Sequence, residues 1–195
     1  MTLTIFPAVR FCQIGRVALN ERLLAWGHRM GPVRRPTGGW SHGLFRDDEL
    51  VAVVATDTLI RPHVAGLTRQ EAIELSRLCA ARPDLSRVAL RLWRAFVFPA
   101  LCQRHGFRWA ISYQDAHAHS GNLYRFDVWT RLATSRSGTD SRSGRRGRSK
   151  VIWGWRNPVP ETAGVSEIPG VAGSAMSSML DLPVERPRPV TEPLW

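Results

Sequence analysis

Residues 72–113 read AIELSRLCAARPDLSRVALRLWRAFVFPALCQRHGFRWAISY, and the spacing of their apolar positions decides the fold class. Between residues 85 and 105 the apolar side chains recur at helical spacing, which predicts a helix with a kink at Pro99. Gly106 ends this helix, and the mostly apolar run that follows predicts a strand over residues 107–113. A long helix that leads into a buried strand is typical of an α/β protein.

The segment before that helix, residues 68–80, is ambiguous by composition alone. Its residues favour a helix, but its position between a hairpin and the next helix allows a strand. Taking residues 72–78 as a strand gives a parallel pair with a right-handed crossover through the helix. The resulting fold class is α/β, with a mixed central sheet and flanking helices.

Shorter elements account for the rest of the folded region. A helix is predicted at residues 17–29, where an amphipathic segment stops before Gly31 and Pro32. The other predicted elements are, in chain order, a hairpin of residues 40–46 and 50–58, a polar turn with a short helix, and a last strand at residues 150–155.

The composition predicts a globular protein that binds a polyanion. Hydrophobic residues make up 44% of the 195 positions and charged residues 22%, as in ordinary folded domains. The chain has 27 Lys and Arg against 16 Asp and Glu, which gives a net charge of +11. This excess favours DNA, RNA or another anionic surface as a partner.

Several patterns predict a reduced, cytoplasmic protein. No apolar run reaches the length of about eighteen residues that a membrane span needs, so no membrane contact is expected. The first residues lack the basic-then-apolar order of a signal peptide. Three widely separated cysteines, Cys12, Cys79 and Cys102, resemble neither a disulfide framework nor a zinc site.

The composition changes after residue 156. Residues 157–195 contain seven of the thirteen prolines and five acidic residues against two arginines, without a sustained period. Such a segment does not bury enough apolar surface to fold. We therefore expect a folded domain at residues 1–156, which contains a basic loop at 136–150, and a Pro-rich, disordered tail at 157–195.

A dense group of titratable side chains follows the predicted strand at residues 107–113. Residues 112–129 read SYQDAHAHSGNLYRFDVW, and ligands of α/β sheets gather at the carboxyl ends of strands. Asp115 can accept a proton or orient a neighbour, His119 can move a proton near neutral pH, and Tyr124 can donate to a leaving group. The alternatives are a helix cap for Asp115, a surface position for His119 and a core position for Tyr124.

The same segment raises the question of a metal. His117 and His119 are two residues apart, and Asp115 is near enough in sequence to join them. No HExxH motif or cysteine pair accompanies them, so no metal site is predicted.

A basic stretch, RSGTDSRSGRRGRSK at residues 136–150, predicts contacts with nucleic acid. Small residues between the cations let the cations reach phosphates, although a solvated flexible loop is the alternative. Trp40 is a candidate for stacking on a base. The cations expected to contact DNA are Arg136, Arg142, Arg145, Arg146, Arg148 and Lys150.

The start of the predicted helix is a candidate anion site. Backbone N–H groups at a helix N-terminus suit a pyrophosphate, and Arg82 and Arg87 add positive charge there. The segment has no glycine-rich loop, so an ordinary solvated helix start capped by Asp84 is the alternative.

Three segments together resemble the Mom family of bacteriophage DNA-modification proteins, which look like divergent members of the GNAT acyltransferase fold. They are IELSRLCA at residues 73–80, ISYQDAHAHSGNLYRFDVW at 111–129 and SGRRGRSKVIWGW at 143–155, within a resemblance that covers residues 17–156. The resemblance implies a GNAT-like fold and conversion of adenine N6 in double-stranded DNA to a carbamoylmethyl-type derivative. Such a product would protect phage DNA from restriction endonucleases.

The resemblance also implies where the reaction takes place. Asp115, His119 and Tyr124 would line the reaction centre, and Ser76 and Arg77 would face them from the neighbouring strand. The donor is unknown, and both acetyl-CoA and an aminoacyl-tRNA are conceivable. Two other functions remain open: a GNAT-like acyltransferase that acts on a protein or small-molecule amine, and a non-catalytic DNA-binding protein.

Overall fold

The computed structural model describes residues 8–35, 39–136 and 149–158, with the side chain of Arg136 left out. The strands are β1 (Val9–Gln13), β2 (Gly39–Arg46), β3 (Glu49–Thr58), β4 (His63–Val64), β5 (Leu67–Thr68), β6 (Ala72–Ala80), β7 (Trp109–Asp115), β8 (Thr130–Arg136) and β9 (Ser149–Arg156). The helices are α1 (Arg16–Ala25), α2 (Pro83–Leu92), α3 (Phe98–His105) and α4 (Asn122–Arg125), with a π-helical turn at Trp93–Val97.

Seven strands form one mixed sheet in the order β1-β2-β3-β6-β7-β9-β8. The pairing of β6 with β7 is parallel, and every other neighbouring pair in this sheet is antiparallel. The predicted α/β class with flanking helices is confirmed, and the ambiguous segment is strand β6. The edge strands β1 and β8 and the small β4–β5 hairpin were not predicted from the sequence.

The long predicted helix is continuous in the structure but not uniform. Pro99 has no N–H to donate, and its ring crowds the preceding turn of a regular α-helix. The chain widens into the π-helical turn Trp93–Val97 directly before α3, and Phe98 then packs in the core with its ring 5.3 Å from that of Trp93. The irregularity expected at Pro99 therefore takes the form of a wider turn on its N-terminal side.

The sheet has two covered faces, which we call the α2 side and the α1 side. Successive residues of a strand point to opposite faces. On β3, Val54 belongs to the core beneath α2, the π-helical turn and α3, whereas Val53 belongs to the core beneath α1. Leu90 anchors the first core and Leu19 the second, and both are fully buried.

The sheet opens between its two parallel strands. Residues 72–74 of β6 pair with residues 109–111 of β7, and the pairing within the described chain ends there. A bulge in β6 places Ser76 between two residues that pair with β3, because Ala55 faces Arg77 and the next residue of β3 faces Leu75. The carboxyl halves of β6 and β7 therefore border an opening in the ladder, which we call the opening.

Part of the chain lies outside the described residues. Four of the arginines predicted to contact DNA are there, namely Arg142, Arg145, Arg146 and Arg148, and so is the segment 159–195. The predicted domain limits accordingly stay a prediction. Within the described residues, no helix is both long and apolar enough to cross a membrane.

Candidate active site

Tyr124 lies at the opening between β6 and β7, on the α2 side. Its hydroxyl is 2.8 Å from Oγ of Ser112, and Ser112 Oγ is 3.1 Å from the backbone oxygen of Leu75 on the facing strand. Ser112 has one hydroxyl hydrogen, and the Leu75 oxygen can only accept. Ser112 therefore donates across the opening to Leu75, and Tyr124 donates to Ser112.

Aromatic packing holds the Tyr124 phenol in this position. The ring lies nearly parallel to that of Trp153, with centroids 5.7 Å apart, and meets Trp129 edge to face at 5.4 Å. Burial raises the pKa of Tyr124, and the hydrogen bond to Ser112 only partly opposes this effect. Tyr124 is therefore a neutral proton donor at neutral pH.

The short helix α4 that carries Tyr124 starts at Gly121, where only glycine fits. Gly121 has a φ of 78°, which is unfavourable for residues with a side chain. A Cβ atom at this position would lie 2.6 Å from Oε1 of Gln114, which is itself held by a 2.6 Å hydrogen bond from Nε1 of Trp153. The turn between β7 and α4 therefore packs directly against Gln114, which is hydrogen-bonded to the tryptophan that stacks on Tyr124.

Asp127 fastens the other end of α4 to the π-helical turn and α2. Its carboxylate is 1% exposed and pairs with Arg91 at 3.1 Å and with Arg94 at 2.7 Å. It also accepts a hydrogen bond from Nε1 of Trp129 at 3.3 Å. These contacts set the distance between α4 and the sheet, and hence the position of Tyr124.

The α1 side of the opening carries charged groups. Ser76 donates a short hydrogen bond to Oδ2 of Asp57, which is 1% exposed and has Arg16 at 3.8 Å from its other oxygen. Nε of Arg77 donates to the backbone oxygen of Gly31 at 3.1 Å. Ser76 and Arg77 thus line the α1 side together, because the bulge points both of them there.

Beneath these residues, an ion pair joins β6 to the segment after α1. Nη2 of Arg35 lies 2.9 Å from each carboxylate oxygen of Glu74, a two-point contact. Burial nevertheless raises the pKa of Glu74, with the charge of Arg35 acting in the opposite direction. Burial also raises the pKa of the neighbouring Tyr113, and the negative charge of Glu74 adds to the effect.

Asp115 faces the α1 side, opposite to Tyr124. Its carboxylate pairs with Nη1 of Arg29 at 3.1 Å, and its Oδ1 accepts a hydrogen bond from the backbone N–H of His117 at 3.1 Å. The second contact stabilises the turn after β7, and the short helix α4 begins only at Gly121, so Asp115 is not its cap. Asp115 and Tyr124 therefore border the same opening from different faces.

His119 lies in an exposed turn and approaches His28, a residue that sequence analysis missed. His28 belongs to the turn after α1, which is tied to β6 by Arg77. Burial lowers the pKa of His28 to about 4, and the positive charges of Arg77 and His119 act in the same direction. The imidazole is neutral at pH 7, and no pattern around residue 28 reveals its proximity to β6 and β7.

The three described residues that were predicted to contact DNA lie at two opposite edges of the sheet. Lys150 lies opposite Asp115 in the β7–β9 register, with its ammonium 6.0 Å from the ring centroid of Tyr113, and Arg136 ends β8 at the same rim. Trp40 lies at the opposite rim, half-buried, with its ring 5.1 Å from that of His105. The DNA contacts themselves stay a prediction.

The start of α2 offers fewer free donors to a pyrophosphate group such as that of acyl-CoA than a regular helix N-terminus does, and the binding roles predicted for Arg82 and Arg87 stay a prediction. Two residues separate β6 from α2, and the first helical residue, Pro83, has no N–H. The N–H of Leu85 donates to the backbone oxygen of Arg82, whose guanidinium is held by Asp84 at 3.0 and 3.1 Å. Arg87 is also engaged, since it donates to the backbone oxygen of Phe126.

Metal ligands do not gather at this opening. Across the described ranges, no three side chains of His, Cys, Asp or Glu are grouped closely enough to hold an ion. His117 is exposed in the turn, next to the Asp115–Arg29 pair.

Comparison with solved structures identifies the fold. The chain is similar to the ribosomal-protein-S18-alanine N-acetyltransferase of Escherichia coli, with a TM-score of 0.56, 12% identity and coverage of 80% of this chain and 98% of that one. It is also similar to NAA60 of Arabidopsis thaliana in complex with acetyl-CoA, with a TM-score of 0.54, 9% identity and coverage of 76% and 98%. A probable GNAT-family acetyltransferase of Chromobacterium violaceum gives 0.52 at 14% identity, with coverage of 77% and 88%.

These similarities show that the chain has the GNAT acyltransferase fold, as the sequence predicted. No protein-family model matches the sequence, and no curated protein matches it either. The resemblance to the Mom family therefore stays a prediction.

Proposed function

We propose that this protein transfers an acyl group from an activated donor to an amine, with its reaction centre at the opening between β6 and β7. The observation that carries the proposal is the neutral Tyr124 phenol, which is fixed by hydrogen bonding to Ser112 where the parallel strands separate. Structures of the same fold that are named as N-acetyltransferases support an amine as acceptor.

The chemistry divides between the two faces of the opening. The amine nitrogen attacks the acyl carbon and forms the new N–C bond, while the bond from this carbon to the leaving group breaks. The leaving group takes its electron pair and the hydroxyl proton of Tyr124. The amine releases a proton to one of three candidates: Asp115 and His28 on the α1 side, or His119 in the turn after β7. Exchange with water then restores both groups.

Tyr124→Phe tests the proton donor, because it removes the hydroxyl and keeps the ring that packs on Trp153. We expect the rate of acyl transfer to fall at least about 100-fold, the usual contribution of a placed general acid. Tyr113→Phe is a matched control, since it removes the other tyrosine hydroxyl of the chain from the neighbouring strand position. Equal rates for the wild-type protein and Tyr124→Phe would exclude Tyr124 as the donor.

The proton acceptor is identified by comparing Asp115→Asn, His119→Gln and His28→Gln. Removing the true acceptor lowers the maximal rate and abolishes the fall in rate at low pH, whereas the other two changes leave the shape of the pH profile unaltered. If all three variants keep the wild-type profile, none of these three residues accepts the proton.

A second candidate function specifies the acceptor as adenine N6 in DNA. The net charge of +11 and the cations at the carboxyl rim of β7 and β8 favour a polyanionic acceptor. Adenine in a duplex must be flipped out to reach a reaction centre, which costs a few kcal/mol that backbone contacts can offset. Together with the resemblance to the Mom family, this supports DNA as the acceptor. The resemblance also implies a carbamoylmethyl-type product that shields DNA from restriction, with acetyl-CoA or an aminoacyl-tRNA as the conceivable donor. Such a group is bonded to N6 through CH2, so it is not the direct product of the acyl transfer described above.

Mass spectrometry of cells that produce the protein separates the candidates. A modified deoxyadenosine that is present with the wild-type protein and absent with Tyr124→Phe would support DNA as the acceptor, and its mass would identify the transferred group. Unmodified DNA together with a newly acylated protein or small amine would support the more general function and, with it, a cytoplasmic protein or metabolite substrate. DNA binding without any modified amine would support the non-catalytic alternative.

A further inference from the structure

A cavity of about 400 Å³ lies beside the opening, on the α2 side, at the edge of the sheet where β7 ends. Its floor contains Gln114 and Trp153, which are hydrogen-bonded to each other, and His119 borders its entrance. Gln114 also donates from Nε2 to the backbone oxygen of His119 at 2.5 Å. The floor is therefore rigid, and its size suits a ligand of nucleotide dimensions.

Two arginines from different elements line the walls of this cavity. Arg125 comes from α4 and Arg131 from β8, and no acidic side chain among the described residues forms an ion pair with either of them. Nη2 of Arg131 donates to Oγ1 of Thr134 at 2.8 Å, which leaves its other N–H groups available. Among the described residues that line the cavity, two are arginines and none is acidic, which favours an anionic ligand.

Arg125 and Arg131 differ in their contacts from the arginines at the start of α2. At the start of α2, Arg82 is held by Asp84, and Arg87 donates to Phe126. An arginine fork binds a phosphate with two parallel hydrogen bonds when no carboxylate competes for it. Both arginines of the cavity meet this condition among the described residues, whereas at the start of α2 Arg82 does not.

We propose that the cavity lined by Arg125 and Arg131 is the phosphate-binding site of this protein and takes a phosphate ester. Two sources offer this group: the sugar-phosphate backbone of a nucleic acid, and a small phosphate-bearing donor. The inference does not depend on the proposed reaction, because binding is measured without turnover.

The test compares two double variants that lose the same charge. Arg125→Gln with Arg131→Gln empties the cavity walls of charge, and Arg82→Gln with Arg87→Gln does the same at the start of α2. Binding of coenzyme A is measured by calorimetry, and binding of a short fluorescein-labelled DNA duplex by anisotropy over a range of salt concentrations. Thermal melting by circular dichroism confirms that both variants fold, and Arg125→Lys with Arg131→Lys replaces the first variant if it does not.

We expect the cavity variant to lose at least about tenfold in affinity for one probe, and the α2 variant to lose less than about twofold. A loss confined to coenzyme A identifies a small donor as the source, a loss confined to the duplex identifies nucleic acid, and a loss for both identifies a site that either ester enters. Equal losses in the two variants, a larger loss in the α2 variant, or no binding of either probe to the wild-type protein would overturn the proposal.

Discussion

The two sides of the opening are built from different kinds of interaction. On the α2 side, Tyr124 is held by neutral hydrogen bonds and aromatic packing, and the charges that fasten α4 lie one layer away at Asp127. On the α1 side, the groups at the opening are themselves charged and paired, as in the contact between Asp115 and Arg29. A neutral phenol is thus held by packing on one side, while paired charges lie on the other.

The largest expected effect comes from removing the charge that fastens α4. Asp127→Ala leaves Arg91 and Arg94 without their buried partner, and we expect the free energy of unfolding to fall by about 3–5 kcal/mol. Urea denaturation followed by tryptophan fluorescence measures this. Asp48→Ala, which removes a 97% exposed partner of Arg10, is the control and should cost less than about 1 kcal/mol.

The next effect concerns buried histidines. Burial lowers the pKa of His42 from 6.5 to about 4, so the unfolded chain binds a proton between these values that the folded protein does not. The free energy of unfolding is therefore highest above about pH 6.5, and it falls by about 3 kcal/mol as the pH decreases towards 4. His28 acts in the same direction.

Denaturation midpoints measured between pH 4 and 7 check this dependence. His42→Leu should flatten the pH dependence, whereas replacing the exposed His63 with Gln should leave its slope unchanged. An unaltered slope in His42→Leu would show that His42 is not the group that titrates.

Two glycine substitutions with smaller effects distinguish the cost of backbone strain from the cost of close packing on the α2 side. Gly121→Ala combines a positive φ with a contact of 2.6 Å to Gln114, and we expect a cost of about 2–3 kcal/mol together with a loss of activity. Gly106→Ala has a similar φ of 77° but no atom within 4 Å of the new Cβ, so about 1 kcal/mol is expected. Equal costs for both would mean that the packing of the turn against Gln114 is loose.

The smallest effect on stability is expected at the α1 side. Arg29 is half-exposed, and Arg29→Ala should change the free energy of unfolding by less than about 1 kcal/mol. The same change leaves Asp115 without this partner at the opening. We therefore expect the Michaelis constant to change although the free energy of unfolding changes little. A loss of several kcal/mol in thermal or urea denaturation would show that the pair supports the fold itself.

Much of the fold could be predicted from the sequence because it rests on local signals. Helical spacing and the Gly106 stop predict the crossover helix, and position alone makes residues 72–78 a strand. The strand β8 escapes prediction because its residues, TRLATSR, alternate too weakly to reveal a buried face. The form of the irregularity before Pro99 depends on how Trp93 and Phe98 pack against the sheet, which no local pattern encodes.

The candidate site could be predicted in part. The density of polar residues predicts a site at the end of β7 that includes Tyr124. Ser112 and Asp115 are an odd number of residues apart on this strand, so their side chains lie on opposite faces of the sheet. The proximity of His28 to Arg77 comes from a contact between segments nearly fifty residues apart, and it depends on the tertiary fold. The pairing state of each arginine, which distinguishes Arg131 from Arg82, is likewise a property of the folded chain.

Because of the bulge in β6, a change in the length of this strand alters which side chains face the opening. A regular strand presents one residue in two to a given face, so neighbours in sequence never serve the same site. The extra residue lets Ser76 and Arg77 act side by side while the ladder with β3 continues undisturbed on either side. A one-residue deletion here would keep the sheet and leave only one of these two neighbouring polar residues on the α1 side, so the length of this strand, as much as its composition, determines which side chains border the opening.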